Sequence, residues 1–369
     1  MINLDNSSYL PKYLQVKNLI LKSIENGIIK PGDKVPSENE LKEQYNVSRH
    51  TVRKALELLE REGLLDKRQG IGTFYQGRKQ PSSKNIGFIS ISLYDYIFAD
   101  ILSGIDNILH QNDYQVILGN SQDSIEREGV ILGQFLDKNI DGLIIEPAKS
   151  AHTQPNTSLL DQFIKRNIPV VVLDSLYSGK DYNSVVVDDQ KGGFLATDYL
   201  IEMGHIRIAM VYKSAHSPAQ DRLQGYKRAL KEANISICSE LIKPYQNSEF
   251  EHPEKFDGEI RTICQELLDL DKPPTAIFCF NDQTAVLMKE ILSEQGIDVP
   301  EDISLIGFDN SEMVRLNTIS ISSVSHPRKK SGEKAAEIIL DQIDKKIANK
   351  GIKEVFQPIL FKRNSVKQI

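Results

Sequence analysis

From Asn85 onward the chain alternates short apolar runs with amphipathic stretches, and no other feature constrains its fold so strongly. "IGFISIS", "YQVILG", "DGLIIE", "IPVVVLD" and "SVVVDD" are buried-strand candidates, each of ordinary strand length. Helical spacing fills the gaps, as in "ADILSGIDNILHQ" and "REGVILGQFLDKN". The rhythm resumes in "RIAMVY", "TAIFCF" and "ISLIGFD", and a late amphipathic helix is expected from about Pro327 to Lys346. Apolar strands alternating with helices make parallel sheets covered on both sides. There are too many strands for one compact sheet, so two α/β lobes are expected, with ligands bound beyond the carboxyl ends of the strands.

The first 85 residues follow a different pattern. A helix is predicted from about Pro11 to Asn26, burying Tyr13, Val16, Ile20 and Ile24, with Gly27 just past its end. "KPGDKVP" is a break. Ser37 followed by Glu40 is a capping box that starts a short second helix through Tyr45. A third helix begins at Ser48, a good N-cap, and buries Val52, Ala55, Leu56 and Leu59 at i, i+3, i+4 and i+7. "LLDKRQGIGTFYQ" reads as two short strands with Gly70 and Gly72 in the turn. Three helices and a hairpin make a winged helix-turn-helix. The expected division is residues 1–76 for this α+β module, 77–84 ("GRKQPSSK") for a polar linker, and 85–369 for the two-lobed α/β part.

Charge divides at the same place. Residues 1–85 hold 15 Lys and Arg against 10 Asp and Glu, and the remainder holds 30 against 41. A basic module on an acidic body suggests that only the front meets a polyanion. The three cysteines, Cys238, Cys264 and Cys279, are far apart and form no CxxC, which reads as reduced packing residues. No apolar run reaches membrane-spanning length, and "MINLDNSSYLPKY" lacks the pattern of a signal peptide, so the expected location is the cytoplasm, away from membranes.

The third helix opens with Arg49 and His50, although a helix N-terminus favours acids. An outside anion would resolve that conflict. In a helix-turn-helix the second of the two helices enters the major groove by its N-terminal end, where Arg can pair in bidentate fashion with guanine. Arg49 and Arg53, then His50 and Thr51, are the candidates for base edges or adjacent phosphates. Lys12, Ser37, Glu38 and Lys54 are candidates for phosphate or register contacts, with Glu38 equally readable as a simple helix-start acid. Arg68 and Gln69 sit at the wing tip, where they can reach a minor groove or the backbone. Residues 10–76 resemble the DNA-binding domain of the GntR family of bacterial repressors, on "KYLQVKNLI", "KPGDKVPSENEL", "VSRHTVRKAL", "EGLL" and "RQGIGTF". The resemblance implies operator double-stranded DNA as partner.

In the rear part, polar residues recur at strand ends: Arg222 in "VYKSAHSPAQDRLQGY", Asn281 and Asp282 in "FCFNDQTA", Asp309 in "LIGFDN" and His326 in "SSVSHP". A polyol is held by planar donors and acceptors and by aromatic faces, which Tyr94, Tyr96, Phe98 or Phe280 can supply in a chain without Trp. Asn281, Asp282 and Asp309 can each also serve only as caps, His326 as a structural residue, and His205 as a helix-end partner. Residues 85 to about 366 resemble the effector domain of the LacI/GalR repressors, built like periplasmic sugar-binding proteins, on "DGLII", "VVVDDQKGG", "YLIEMGHIRIAMV", "RLQGY", "GIDVPEDISLIGFDN" and "ISSVSHP". That resemblance puts Arg222, Asn281 and Asp309 on effector positions, with Glu146 and Asp174 as weaker carry-overs and Asp188 as an acid at the lobe crossing. The front departs from LacI/GalR, whose hinge helix has no counterpart in "GRKQPSSK".

A GntR-type front on a LacI/GalR-type rear resembles the repressors of pentose utilisation. It implies a homodimer released from its operator by a small sugar, L-arabinose. The residues themselves reach only a small polar ligand. The competing reading is a sugar-metabolising enzyme on a doubly wound scaffold. However, the chain has no GxGxxG after its first strand, no GxxxxGK[ST], no HExxH and no GxSxG, so no catalysis, cofactor or metal ion is expected.

Overall fold

The computed structural model describes residues 10–68, 71–75, 82–94, 96–151, 156–177, 179–247, 252–315 and 320–369. They form two compact units, divided between Ser82 and Ser83. Gln69, Gly70 and residues 77–81 of the expected linker lie outside the described residues.

The first unit contains α1 (Lys12–Glu25), α2 (Glu38–Tyr45), α3 (Arg49–Arg61), β1 (Leu65–Arg68) and β2 (Gly72–Tyr75). The capping box is closed in both directions: Ser37 N–H donates to Glu40 Oε2 at 2.6 Å and Glu40 N–H to Ser37 Oγ at 3.3 Å. Asn46 ends α2 in the left-handed region at φ 50°, which turns the chain tightly into α3. Thr51 N–H then donates to Ser48 Oγ at 3.2 Å. The stripe Val52, Ala55, Leu56 and Leu59 is buried with Val16 and Ile20 of α1, Leu41 and Tyr45 of α2, and Tyr75 of the hairpin. Tyr13 and Ile24, expected in the same core, are only half-buried at the ends of α1. β1 and β2 pair antiparallel as the wing, and Lys34 adds a bridge to Phe74.

The second unit begins with β3 (Asn85–Ser90), α4 (Phe98–His110), β4 (Gln115–Asn120), α5 (Ile125–Asp137), β5 (Gly142–Ile145), α6 (Thr157–Lys165), β6 (Val170–Leu173) and β7 (Asn183–Val187). The chain then crosses into a second lobe of α7 (Asp189–Glu202), β8 (Ile208–Lys213), α8 (Ser217–Glu232), β9 (Ile242–Tyr245), α9 (Pro253–Leu268), β10 (Ala276–Cys279), α10 (Asp282–Glu294), β11 (Ser304–Asp309), α11 (Glu312–Arg315) and β12 (Ser322–Ser325). It returns for α12 (Arg328–Lys345) and β13 (Lys353–Phe356), and crosses again for β14 (Leu360–Phe361).

Each lobe is one six-stranded sheet, ordered β13-β7-β6-β5-β3-β4 in the first and β14-β12-β11-β10-β8-β9 in the second. All pairs are parallel except β12 with β14. Successive strand residues supply opposite faces. Ile86 and Phe88 pack on α4 and α12, while Ile89 joins α5 and α6 on the other side. The second lobe is covered by α9 and α10 on one face and α7 and α8 on the other. "YQVILG" differs from expectation. As β4 it is a sheet edge, half-buried for most of its length, and Leu118 is 42% exposed. All three cysteines are free: Cys264 and Cys279 are buried in the second lobe's core and Cys238 is half-buried.

Candidate functional site

On the winged helix, the opening of α3 is exposed as a polar face. Arg49, His50, Arg53 and Lys54 project away from the buried stripe, and Thr51 is half-buried. The anion that the sequence left to an outside partner is in part internal. Glu38 accepts from Arg49 Nε at 2.8 Å and from Arg53 Nη2 at 3.0 Å. These Arg53 and Arg49 hydrogen bonds hold the Glu38 carboxyl down at about 2. A single acid on α2 thereby gathers two guanidinium groups of α3 into one fork. Ser37 is spent on its capping box, and Lys12 is exposed. Lys54 lies 4.2 Å over the Tyr13 ring, and Arg68 pairs with Asp66 at 3.1 Å while covering Phe74.

In the second unit a cleft lies between the lobes, enclosing about 670 Å³ with its open mouth. Its polar residues stand where parallel strands end: Glu146 after β5, Asp174 after β6, Lys213 at the end of β8, Asn281 after β10, Asp309 at the end of β11 and His326 after β12. Loops beyond carboxyl ends are where such sheets present side chains to ligands. Asp174 and Asp309 have positive φ, 55° and 101°, values uncommon for non-glycine residues and concentrated at functional sites.

Arg222 reaches the cleft because α7 and α8 cross at backbone distance. A Cβ on Gly193 would lie 2.1 Å from Arg222 O, and one on Gly225 would lie 2.0 Å from Gln190 O. The guanidinium donates to Asp189 Oδ1 at 2.8 Å and to Phe280 O at 2.6 Å, and stacks on Phe308 at 3.5 Å. Burial pushes the Asp189 carboxyl up to about 6 even though Arg222 opposes the shift. His326 lies on the crossover between β12 and α12. Its Nε2 is 3.0 Å from Asp174 Oδ1, an ion pair off the hydrogen-bond line, and its Nδ1 is 3.8 Å from Asp309 Oδ1. Burial alone would lower it, but the two carboxylates raise it to about 10.

Tyr96 of the first lobe donates its hydroxyl to Asp309 Oδ2 of the second. Burial would raise Asp309, yet His326, Arg222 and Tyr96 keep its carboxyl below the usual range. Glu146 accepts from Ser90 Oγ at 2.5 Å. Asn281 has a double use. Its Oδ1 caps α10 through Thr284 N–H at 2.9 Å, and its amide nitrogen has no hydrogen-bond partner among the described residues.

The structure thus gathers Glu146, Asp174, Arg222, Phe280, Asn281, Asp309 and His326 around one cleft. Tyr96 acts from behind, through Asp309. Tyr94 does not line the cleft and is 85% exposed, so it is not the aromatic face expected of it, and Phe98 stacks on Phe88 as packing. Asp282 is a buried support, accepting from Ser311 N–H and Ser323 Oγ at 2.6 Å each. Asp188 caps α7, and His205 bonds Thr275 and the Lys367 carbonyl, both structural. Sequence reasoning missed Lys213, His216 and Ser175, which also line the cleft. The polar end of the apolar run "IAMVYK" was the available signal for Lys213. Among the described residues no group of His, Cys, Asp or Glu is arranged to hold a metal ion, and no helix is long and apolar enough to cross a membrane.

Residues 12–74 match the bacterial regulatory proteins of the gntR family, and residues 197–366 match the periplasmic binding protein-like domain. The chain is 36% identical to an arabinose metabolism transcriptional repressor of Geobacillus stearothermophilus, over 98% of this chain and 99% of that one. It is 32% identical to another from Halalkalibacterium halodurans, over 97% of each. A crystal structure of a LacI family transcriptional regulator from Enterococcus faecium with bound ribose superposes with a TM-score of 0.65 at 26% identity, covering 77% of this chain and 99% of that one. With a gntR-type winged helix ahead of a periplasmic-binding-protein-like cleft, the chain belongs to the family of arabinose metabolism transcriptional repressors.

Proposed function

We propose that this repressor binds operator DNA as a homodimer through α3 and the wing, and that a neutral sugar, L-arabinose, entering the interlobe cleft releases it. The observation that carries the ligand class is the mixed lining of the cleft. Glu146, Asp174 and Asp309 stand beside Lys213, His216, Arg222 and His326, and Lys213 and Arg222 are already ion-paired with Asp123 and Asp189. Acceptors and donors side by side suit hydroxyl groups, which both give and take hydrogen bonds. A sugar phosphate would call for an excess of positive charge. Ile91, Ile97, Leu173, Pro147, Pro218 and Phe280 offer apolar surface to the C–H faces of a sugar.

On the DNA side, Arg49 and Arg53 are the base-reading candidates, with His50 and Thr51 at base edges or adjacent phosphates, Lys54 and Lys12 at phosphates, and Arg68 at a minor groove or the backbone. Glu38 keeps the two arginines paired until DNA competes for them. Two copies would set two α3 helices on successive turns of a pseudo-palindromic operator. No catalytic step belongs to this reading, which needs no cofactor and is that of a cytoplasmic regulator.

The test is a calorimetric titration of the protein with L-arabinose, D-xylose, D-ribose and D-glucose. Saturable one-site binding of L-arabinose, well above the others in affinity, is expected. Tight binding of a sugar phosphate in place of all four would overturn the ligand class.

A further inference from the structure

The Asp123 carboxylate lies on the cleft's far side from the crossovers. Asp123 follows β4, the edge strand most remote from β7 and β13, in a loop where Gln122 and Asp123 both have left-handed backbone, φ 50° and 56°. It is 1% exposed. A carboxylate so buried is tolerable only when its oxygens are engaged. Oδ1 stays within its own lobe, accepting the Lys149 N–H at 3.0 Å. Oδ2 is given to the other lobe, to His216 Nε2 at 3.0 Å and Lys213 Nζ at 3.4 Å. Burial pushes this carboxyl up, but the His216 and Lys213 charges override burial and hold it well below the usual range.

Both partners line the cleft. Lys213 ends β8, His216 precedes α8, and the turn between them is closed by His216 N–H donating to Lys213 O at 3.3 Å. The same seam carries two further contacts: Ala151 N–H donates to Ala215 O at 2.9 Å, and Ser217 N–H donates to the Ser150 hydroxyl oxygen at 2.9 Å. Among the described residues the lobes meet near the crossovers through His326 and Tyr96, along the seam where Ser217 Oγ donates to Ser175 Oγ at 3.3 Å, and opposite the crossovers through Asp123. A contact opposite the hinge acts over the longer lever arm and is the first to break as the lobes part.

We propose that Asp123 is a positioning residue that clasps the cleft shut from the side opposite its hinge, holding Lys213 and His216 at the cleft wall and setting how long a ligand stays bound. The proposal rests on the reading of this cleft as the effector site. A protein whose binding-competent closed form is less populated binds in proportion more weakly. Loss of the clasp acts on departure more than on arrival, because it forms only after the lobes have closed.

The test uses the full chain with Asp123→Asn, which keeps the side chain's size and removes its charge. L-arabinose affinity is expected to fall by about tenfold to a hundredfold, mostly through faster dissociation in stopped flow. A second arm needs no sugar. Spin labels at Lys138→Cys and Glu254→Cys, in a Cys238→Ser background, report the distance between the lobes, which is expected to lengthen in the Asp123→Asn protein. Unchanged dissociation, or an unchanged distance, overturns the clasp. Should the parent protein fail to bind the sugar, the effector reading falls and the distance arm alone decides the clasp. Should Asp123→Asn fail to fold, His216→Gln carries both measurements with the same expected and contrary results.

Discussion

Arg222→Ala removes the cleft's best-anchored donor while leaving its partner Asp189, 8% exposed, without a cation. Two effects must be separated. A charged hydrogen bond to a ligand hydroxyl contributes about 1.5–3 kcal/mol, so sugar affinity is expected to weaken by roughly 10- to 150-fold. Breaking a buried ion pair from one side costs about 3–5 kcal/mol, within the roughly 5–15 kcal/mol that holds a domain together. The domain therefore stays folded but melts roughly 10 °C lower.

The sign with pH follows from Asp189. Its folded carboxyl is already raised to about 6 beside Arg222, above the unfolded 3.8, and losing the cation raises it further. An acid with a raised folded pKa binds protons in the folded state, so stability falls as pH rises through that window. The stability gap between Arg222→Ala and the parent is accordingly smaller at pH 5 than at pH 8. Fluorescence anisotropy of labelled operator, titrated with sugar, reads induction, and differential scanning calorimetry reads stability. Adding Asp189→Asn should recover much of the melting temperature but none of the sugar response. Release of DNA by the double variant at the parent's sugar concentration would refute the placement of the effector beside Arg222.

Other expectations are independent of that pair. Arg53→Ala should weaken operator binding by about 1–3 kcal/mol and leave calorimetric sugar binding intact; unchanged operator affinity removes Arg53 from the reading face. Leu59→Ala, at a fully buried position of α3, should cost the winged helix about 2–5 kcal/mol, visible as an earlier hydrogen-exchange opening of residues 12–68 with the second unit unaffected. His326 is raised from 6.5 to about 10, so its ion pairs contribute stability that is fully present below pH 6.5 and lost as pH rises through about 10. His326→Gln should flatten the decline of melting temperature across that window, and an unaltered profile would show that these pairs do not hold the crossover.

The elements legible in the sequence were those whose local chemistry and tertiary role agree. The α3 stripe, its Ser48 cap and the Ser37–Glu40 box are each readable from a few neighbouring residues, and the structure contains all three. Apolar strands such as "IPVVVLD" are buried on both faces and announce themselves. β12 does not, since "SSVS" looks like a turn. Ser322 and Ser323 are buried because Ser323 Oγ donates to Asp282 and Ser322 N–H to Ser365, partners far away in sequence. β9 holds Pro244 and sits at an edge, where a missing N–H is tolerated.

The same limit applied to the cleft. Arg222, Asn281 and Asp309 stand at or after strands that read plainly, whereas Asp123 follows the edge strand and precedes the cap Ser124, where nothing local distinguishes it. Glu38 was noticed, but its hold on Arg49 and Arg53 joins two helices across a turn that spacing alone does not describe.

The most direct single measurement is a gel shift of the parent protein on its operator, titrated with L-arabinose and a panel of other pentoses and hexoses. The expected result is a retarded complex that dissolves selectively with L-arabinose, at the concentration where calorimetry finds the cleft half-filled. A complex indifferent to every sugar, or equally sensitive to all of them, would contradict the coupling of the cleft to the DNA-reading head.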